Sequence, residues 1–261
     1  MRIGDRLELL LPGRFSDPAH GYGFQRTVFE QVAAGERPAT LSITPSTRHV
    51  GVTRRDTHRP GFREAVGFSE KLGFPVFVRG AGGGATAADA GTFGFSIVRP
   101  SKRGDARSGI AARYREASSL ALAAFARLGI HDAEVGEVAG EFCPGDNSLR
   151  IGGHRTGMKV CGIAQRLTSR ATSVGGIVLV SGHREITPVL AAVYGAMNLS
   201  FRPESVGSLA RAGHTGSVSE AVAAFAREGE ERYGARPVEA DRETLAEAQR
   251  AGPESRVSFS P

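Results

Sequence analysis

Three consecutive glycines, Gly82 to Gly84, form the first segment of this chain that could do chemistry. They follow a short apolar run, Val76 to Val78, with Arg79 directly after it. Glycine allows the backbone to approach a ligand closely, and the N–H groups of such a loop can face an anion or a carbonyl oxygen. A flexible hairpin turn would have the same sequence. The loop is neither a P-loop nor a dinucleotide fingerprint, because no Gly-Lys-Ser/Thr follows and no helix is predicted to begin there.

The second segment contains Cys143, which lies directly before Pro144 and Gly145. The Pro-Gly pair predicts an exposed turn, where a thiolate would be an accessible nucleophile. A free cysteine is more often a small buried hydrophobic residue, and this alternative stays open for Cys143. It is the preferred interpretation of Cys161, which lies within an alternating strand pattern.

The third segment begins at Lys159 and runs to Arg166. Most lysines are simply solvated, and this interpretation holds for Lys159 taken alone. An ammonium group close to a cysteine would favour the thiolate, and it would also be able to move a proton.

The composition is that of a globular chain of 261 residues, with 40% hydrophobic and 23% charged residues. These values argue against disorder. Neither cysteine lies in a zinc-type pair, so no metal site is predicted. No run of 18 apolar residues is present, and the apolar run Leu9 to Leu11 is too short for a signal-peptide core. We therefore expect a cytoplasmic protein without a membrane partner.

The formal net charge of +6 favours an acidic partner or a phosphate-bearing ligand. The basic residues are scattered along the chain and do not form one run, so we expect no binding of nucleic acid.

The hydrophobic periodicity predicts strands and helices without strict alternation, which favours an α+β fold with a mixed sheet covered by helices. Strands are predicted at residues 40–44, 48–52, 76–78, 92–98, 148–151, 158–166 and 174–180. Helices are predicted at residues 24–32, 62–72, 114–128 and 187–197, and after Ser217, which forms a capping box with Glu220. Residues 1–233 are predicted to be a single catalytic domain, and the charged residues 234–261 a loosely attached tail.

Taken together, the three segments resemble the biotin/lipoate protein ligase superfamily, in its lipoate-ligase and octanoyltransferase branch. The first family motif, Arg-x-Ser-Gly-Gly-x-Ala followed by Asp, Gly and Ser, is matched by Arg79, Ala81, Gly82, Gly83, Ala85, Asp89, Gly91 and Ser96. Ala81 replaces the usual serine. The second motif, Lys-x-x-Gly-x-Ala-Gln, is matched by Lys159, Gly162, Ala164 and Gln165. The resemblance runs from about residue 24 to residue 233.

The resemblance implies the class II biotin/lipoyl ligase-like fold, a mixed β-sheet flanked by helices. It implies catalytic roles for Cys143 and Lys159. It also implies a set of substrate-binding residues, namely Arg79, Gly82, Gly83, Gly84, Ala85, Asp89, Gly162 and Ala164. An apolar slot for the acyl chain is expected beside Val78, Phe93 and Phe95.

Two positions favour one reaction within the family. ATP-using lipoate ligases usually have a histidine where this chain has Ala88, whereas Cys143-Pro144-Gly145 resembles the cysteine-dependent octanoyl and lipoyl amidotransferases. In those enzymes the cysteine carries the acyl group as a thioester. The resemblance thus implies transfer of octanoyl or lipoyl through Cys143 onto a lysine of an acceptor. The partners would be acidic acyl-carrier or lipoyl-type domains, and no cofactor would be required.

Two alternatives remain open. The chain could be an ATP-dependent lipoate–protein ligase that forms lipoyl-AMP, in which case it needs ATP and Mg²⁺ and uses Lys159 on phosphate and carboxyl oxygens. It could instead be a non-catalytic acyl- or carrier-binding module. The presence of both Cys143 and Lys159 counts against the second alternative.

Overall fold

The computed structural model describes residues 7–101 and 105–259. Within these ranges the chain forms a mixed α+β fold, as predicted. The strands are β1 (Glu8–Leu10), β2 (Thr40–Pro45), β3 (His49–Val52), β4 (Val76–Val78), β5 (Thr86–Ala88), β6 (Thr92–Pro100), β7 (Ala133–Val135), β8 (Leu149–Ile151), β9 (Met158–Leu167), β10 (Ala171–Leu179) and β11 (Arg236–Val238). The α-helices are α1 (Pro18–Ala34), α2 (Phe62–Lys71), α3 (Asp105–Ser108), α4 (Ile110–Arg127), α5 (His183–Ala196), α6 (Val218–Tyr233) and α7 (Arg242–Ala251).

Eight of these strands form one large sheet in the order β11-β1-β2-β6-β10-β9-β8-β7. Strand β1 runs parallel to β2 and β11, while the pairs from β2 to β7 are antiparallel. The long strands β6, β9 and β10 therefore lie side by side in the middle of the sheet. A second, smaller sheet has the order β4-β3-β5.

Helices cover both faces of the large sheet. Ile97 of β6 packs into a core with α4 and α6, while the next residue, Val98, packs into a core with α1 and α7. Successive side chains of a strand point to opposite faces, so the two helix pairs lie on opposite sides. The smaller sheet has a core of its own with α2 and α5. No helix within the described ranges combines the length and apolar character needed to cross a bilayer.

Local sequence signals explain the ends of the helices. Helix α1 begins after Asp17, whose carboxylate accepts a hydrogen bond from the Ala19 N–H at 2.8 Å, and Pro18 is its first residue. It ends at Gly35, which has a φ of +79°. Helix α6 begins with the predicted capping box of Ser217 and Glu220.

The C-terminal segment corrects the expectation of a loosely attached tail. Strand β11 pairs with β1 in the large sheet, and α7 packs along α1 with Ala248 fully buried. A Cβ on Gly23 of α1 would lie 1.9 Å from the Ala248 carbonyl oxygen, so the two helices meet through small residues. Helices α1 and α7 approach each other closely through small residues, so their contact does not need large apolar side chains. Residues 234–259 thus belong to the same folded unit as the residues before them.

Candidate active site

A cavity of about 740 Å³ lies between α1, the smaller sheet and the middle strands of the large sheet. Tyr22 and Gln25 line it from α1, and His49 from β3. The predicted residues Arg79, Cys143, Lys159, Gly162 and Ala164 also line it, which brings the three sequence segments together.

Cys143 lies in the loop between β7 and β8, and its thiol faces two hydrogen-bond donors. The Gly84 N–H is 3.1 Å from its Sγ atom, and Arg79 Nη2 is 3.3 Å from it. Cys143 is half-buried and has a positive φ of 45°. A hydrogen-bond donor and a guanidinium group both favour the negatively charged form of a group that they contact. The arrangement is therefore suited to holding a thiolate.

The glycine loop makes the close approach that its sequence predicts, and it does so at Gly83 and Gly84. Gly83 has a φ of +108°, and a Cβ there would lie 2.5 Å from Cys143 Sγ. Arg79 Nη2 also donates to the Gly84 carbonyl oxygen at 2.7 Å, so the arginine ties the loop to the thiol. Gly82 is exposed, and its N–H donates to the Gln165 carbonyl oxygen at 3.2 Å, away from the thiol.

Lys159 is fully buried, which differs from the ordinary solvated position of a lysine. Its Nζ atom is 3.0 Å from Glu141 Oε1, and 2.9 Å from the carbonyl oxygens of both Phe142 and Cys143. These acceptors match the three N–H donors of an ammonium group. Lys159 therefore fixes the backbone of the segment that contains Cys143, and its donors are not directed at the Cys143 thiol.

Glu141 was not identified from the sequence, although it is the counter-charge that makes the burial of Lys159 possible. It is 1% exposed, and its carboxylate also accepts hydrogen bonds from the Val138 N–H at 2.9 Å and from Ser148 Oγ at 2.5 Å. A charge in the protein interior requires a partner and satisfied hydrogen bonds. One carboxylate thus closes the loop 138–148 at both ends.

Tyr194 of α5 is a second residue that the sequence did not identify. Its hydroxyl oxygen accepts a hydrogen bond from the Cys143 N–H at 2.5 Å, and its hydroxyl donates to the Ala85 carbonyl oxygen at 2.9 Å. No local motif marks this tyrosine, because both of its partners are distant in the sequence.

The structure does not bring Asp89 to the cavity, which corrects its assignment as a substrate-binding residue. Its carboxylate accepts a hydrogen bond from the Gly91 N–H at 2.8 Å, and a Cβ on Gly182 would lie 2.4 Å from it. Burial raises the pKa of Asp89. The side chain shapes the turn between β5 and β6. Ala85 is likewise buried away from the cavity and contributes its carbonyl oxygen to Tyr194.

The two cysteines differ in the way that the sequence predicts. Cys161 is fully buried in the core of the large sheet, and burial raises its pKa to about 12. Its thiol therefore stays neutral at physiological pH and is not available as a nucleophile.

The walls of the cavity are partly apolar, although not all of the expected residues reach it. Val78 and Phe95 line the cavity. Phe93 is fully buried elsewhere, with its ring 5.0 Å from that of Phe225. Across the part of the chain that the structure covers, no group of three or more His, Cys, Asp or Glu side chains could hold a metal ion.

His49 lies on the cavity wall beside Tyr22 and Phe77, with its ring centroid 5.2 Å from that of Tyr22. Burial lowers its pKa to about 4, although a hydrogen bond to the Thr47 carbonyl oxygen opposes this shift. The imidazole is therefore neutral near pH 7.

Residues 17–228 match the lipoyl protein ligase A/B catalytic domain. The chain belongs to this family. The match includes the glycine loop, Cys143 and Lys159.

Relatives of this chain include acyltransferases from several organisms. The octanoyl-[GcvH]:protein N-octanoyltransferase of Geobacillus kaustophilus is 29% identical over 170 residues, which are 65% of this chain and 58% of the relative. The enzyme of the same name from Bacillus velezensis is 30% identical over 66% of this chain and 57% of the relative. The lipoyl-[GcvH]:protein N-lipoyltransferase of Listeria monocytogenes is 26% identical over 64% of this chain and 57% of the relative. The chain thus matches somewhat more than half the length of these relatives.

Solved structures of lipoate-protein ligases have the same fold. One is a lipoate-protein ligase A bound with ATP, with a TM-score of 0.70 and 20% identity, covering 95% of both chains. Another is a bi-partite lipoate protein ligase from Thermoplasma acidophilum, with a TM-score of 0.68 and 19% identity, covering 95% of this chain and 92% of the other.

Proposed function

We propose that this protein is an acyltransferase that moves an octanoyl or lipoyl group through a thioester on Cys143 to a lysine of a lipoyl-type acceptor domain. The observation that carries the proposal is the pair of donors, Gly84 N–H and Arg79 Nη2, on Sγ of Cys143 at the wall of the cavity. The names of the relatives, octanoyl- and lipoyl-[GcvH]:protein transferases, support the acyl group and the type of partner.

Transfer from an acylated lysine of a donor domain takes two steps. The Cys143 thiolate attacks the amide carbonyl, a C–S bond forms and the C–N bond breaks, and the leaving amine takes up the proton that the thiol lost. The amine of the acceptor lysine then attacks the thioester, a C–N bond forms, the C–S bond breaks, and the proton lost by the amine returns to the thiolate. One amide replaces another, so the reaction requires no ATP or other cofactor.

The surrounding residues take separate roles in these steps. Arg79 and the Gly84 N–H stabilise the thiolate, and the same two donors stabilise the negative charge that develops on the carbonyl oxygen beside the sulfur. Lys159 acts as a positioning group through the Cys143 carbonyl oxygen. Gly162 and Ala164 leave room in the cavity for the acyl chain.

The experiment that tests this function is intact-mass spectrometry after mixing the protein with octanoylated GcvH in the absence of ATP. We expect an octanoyl adduct on the wild-type protein and its loss in Cys143→Ala. The matched control is Cys161→Ala, which removes the buried thiol and is expected to keep the adduct. An adduct that survives in Cys143→Ala, or that disappears only in Cys161→Ala, contradicts the assignment.

A further inference from the structure

Cys143 has a backbone conformation that is unfavourable for a cysteine. Its φ of 45° lies in the left-handed region, where Cβ approaches the following carbonyl oxygen. A non-glycine residue keeps such a conformation only where its surroundings hold it there. The contacts of the Cys143 backbone therefore decide where its thiol points.

Side chains from two other elements hold this backbone. The Cys143 carbonyl oxygen accepts a hydrogen bond from Lys159 Nζ at 2.9 Å, and its N–H donates to the hydroxyl oxygen of Tyr194 at 2.5 Å. Lys159 was already identified from the sequence motif, and its ion pair with Glu141 explains how it is held in place. Tyr194 has no place in either motif.

The same hydroxyl group also holds the glycine loop. Tyr194 donates to the Ala85 carbonyl oxygen at 2.9 Å, and Ala85 follows Gly84, whose N–H is 3.1 Å from Cys143 Sγ. One hydroxyl group thus connects the segment that carries the thiol with the segment that supplies its donor. It sets the distance between them.

Tyr194 is itself rigidly placed. It is 2% exposed within the core between α2, α5 and the smaller sheet, and its ring centroid is 5.3 Å from that of Phe201. Burial raises the pKa of Tyr194, so that the hydroxyl keeps the proton that it donates to Ala85. A buried, neutral hydroxyl that donates once and accepts once is suited to a fixed structural distance.

We propose that Tyr194 is a positioning residue for Cys143: its hydroxyl holds the cysteine in the left-handed conformation and places Sγ against the Gly84 N–H and Arg79. The inference deepens the proposed function and rests on the assignment of Cys143 as the nucleophile. Without the hydroxyl, Cys143 relaxes toward an ordinary conformation and Sγ moves away from the donors that favour the thiolate.

The test is the rate at which iodoacetamide alkylates Cys143 in the Tyr194→Phe variant, followed by mass spectrometry. At pH 7 we expect the rate to fall about ten-fold, the effect of losing a hydrogen bond to a charged group. Steady-state transfer should show a lower kcat with an unchanged KM for the acceptor.

The control is Tyr233→Phe, which removes a hydroxyl group from α6, on the opposite side of the large sheet from α1, and is expected to alkylate like the wild type. Equal alkylation rates in wild type and Tyr194→Phe at pH 7 overturn the proposal. So does a faster rate in Tyr194→Phe, because a general loosening of the structure would expose the thiol to the reagent. Alkylation requires no acyl donor, so this result stands even if the wild type transfers no acyl group.

A second variant covers the case in which Tyr194→Phe does not fold. Phe201→Leu keeps the hydroxyl but weakens the packing of the Tyr194 ring. We expect its alkylation rate at pH 7 to fall at least about two-fold. An unchanged rate at pH 7 in Phe201→Leu overturns the proposal in that case.

Discussion

Lys159 and Glu141 form an ion pair in the protein interior, with Nζ 3.0 Å from Oε1 and both residues at most 1% exposed. The pair lies directly beneath the candidate nucleophile, because Glu141 precedes Cys143 by two residues and Lys159 also binds the Cys143 carbonyl oxygen. Burying two charges costs free energy, and the mutual attraction offsets this cost only with good geometry and further hydrogen bonds. Here the further hydrogen bonds of Lys159 and Glu141 all go to residues of the loop that carries the thiol.

Replacing Lys159 should therefore affect both stability and activity. We expect Lys159→Met to lower the free energy of unfolding by about 3–5 kcal/mol, because it leaves the Glu141 carboxylate buried without its partner. Acyl transfer should fall about 10²-fold or more, because the Cys143 backbone loses a hydrogen bond that positions the thiol and a small misplacement of a reacting group has an effect of this size. Urea denaturation and steady-state transfer assays measure the two effects.

The control for this variant is Arg250→Met, which breaks an exposed ion pair with Glu247 on α7. Such pairs contribute about 0–1 kcal/mol. A loss of stability in Lys159→Met no larger than that in Arg250→Met would show that the buried pair does not hold the loop.

His49 should make the protein sensitive to acid. In the unfolded chain the imidazole titrates near pH 6.5, whereas burial lowers its pKa to about 4 in the folded protein. Between these pH values the unfolded chain binds a proton that the folded protein does not. The stabilising contribution is therefore complete above pH 6.5 and is lost as the pH falls toward 4. We expect His49→Asn to flatten the fall in the free energy of unfolding over this range, as measured by urea denaturation.

The matched control is His58→Asn, which changes an exposed histidine and should keep the wild-type dependence on pH. Parallel curves for wild type and His49→Asn would show that His49 is not the group responsible.

The parts of the site that the sequence predicts are those encoded locally. The glycines, Cys143 and Lys159 stand in recognisable motifs, and Gly83 is required because a Cβ would meet the thiol. The long strands β6, β9 and β10 have enough residues to show their alternation. The family that these motifs predict is confirmed by the match over residues 17–228, and the predicted α+β fold is confirmed by the structure.

The parts that were missed depend on contacts between distant segments. Glu141 and Tyr194 act through partners 18 and 109 residues away, Lys159 and Ala85, and nothing in their own neighbourhoods marks them. Strands of three residues are too short for a period-2 pattern to identify them consistently, so β4 and β8 were predicted whereas β1, β5, β7 and β11 were missed. Helix α7 packs through alanine, so its composition indicated a solvated tail.

Docking of the acceptor domain should depend on salt. The net charge is +6, and the exposed Arg54 lies at the cavity wall. If the acceptor is acidic, its KM should rise between about 0.05 and 0.3 M NaCl, because the Debye length is only about 10 Å at 0.1 M. We expect Arg54→Ser to raise the KM about two- to five-fold and to weaken its dependence on salt.

Arg227→Ser is the control for this charge effect, because Arg227 is exposed on α6, on the other face of the large sheet. A KM that does not change with salt, or that changes equally in both variants, would argue against electrostatic docking beside the cavity.

Acyl transfer should proceed without ATP, and the protein should not catalyse lipoate-dependent exchange of pyrophosphate into ATP. A ligase must bind a triphosphate, expel pyrophosphate and protect a mixed anhydride, and it has no use for a thiolate. In this chain the position of the ligase histidine is Ala88, a fully buried residue of β5 that pairs with His49. The half-buried Cys143 has two donors on its sulfur, which favour the thiolate that the proposed thioester needs. An assay with radiolabelled pyrophosphate, ATP and lipoate should thus give no exchange with the wild type, while the same preparation transfers octanoyl from GcvH without nucleotide. Exchange that persists in Cys143→Ala would instead identify the protein as an adenylating lipoate ligase.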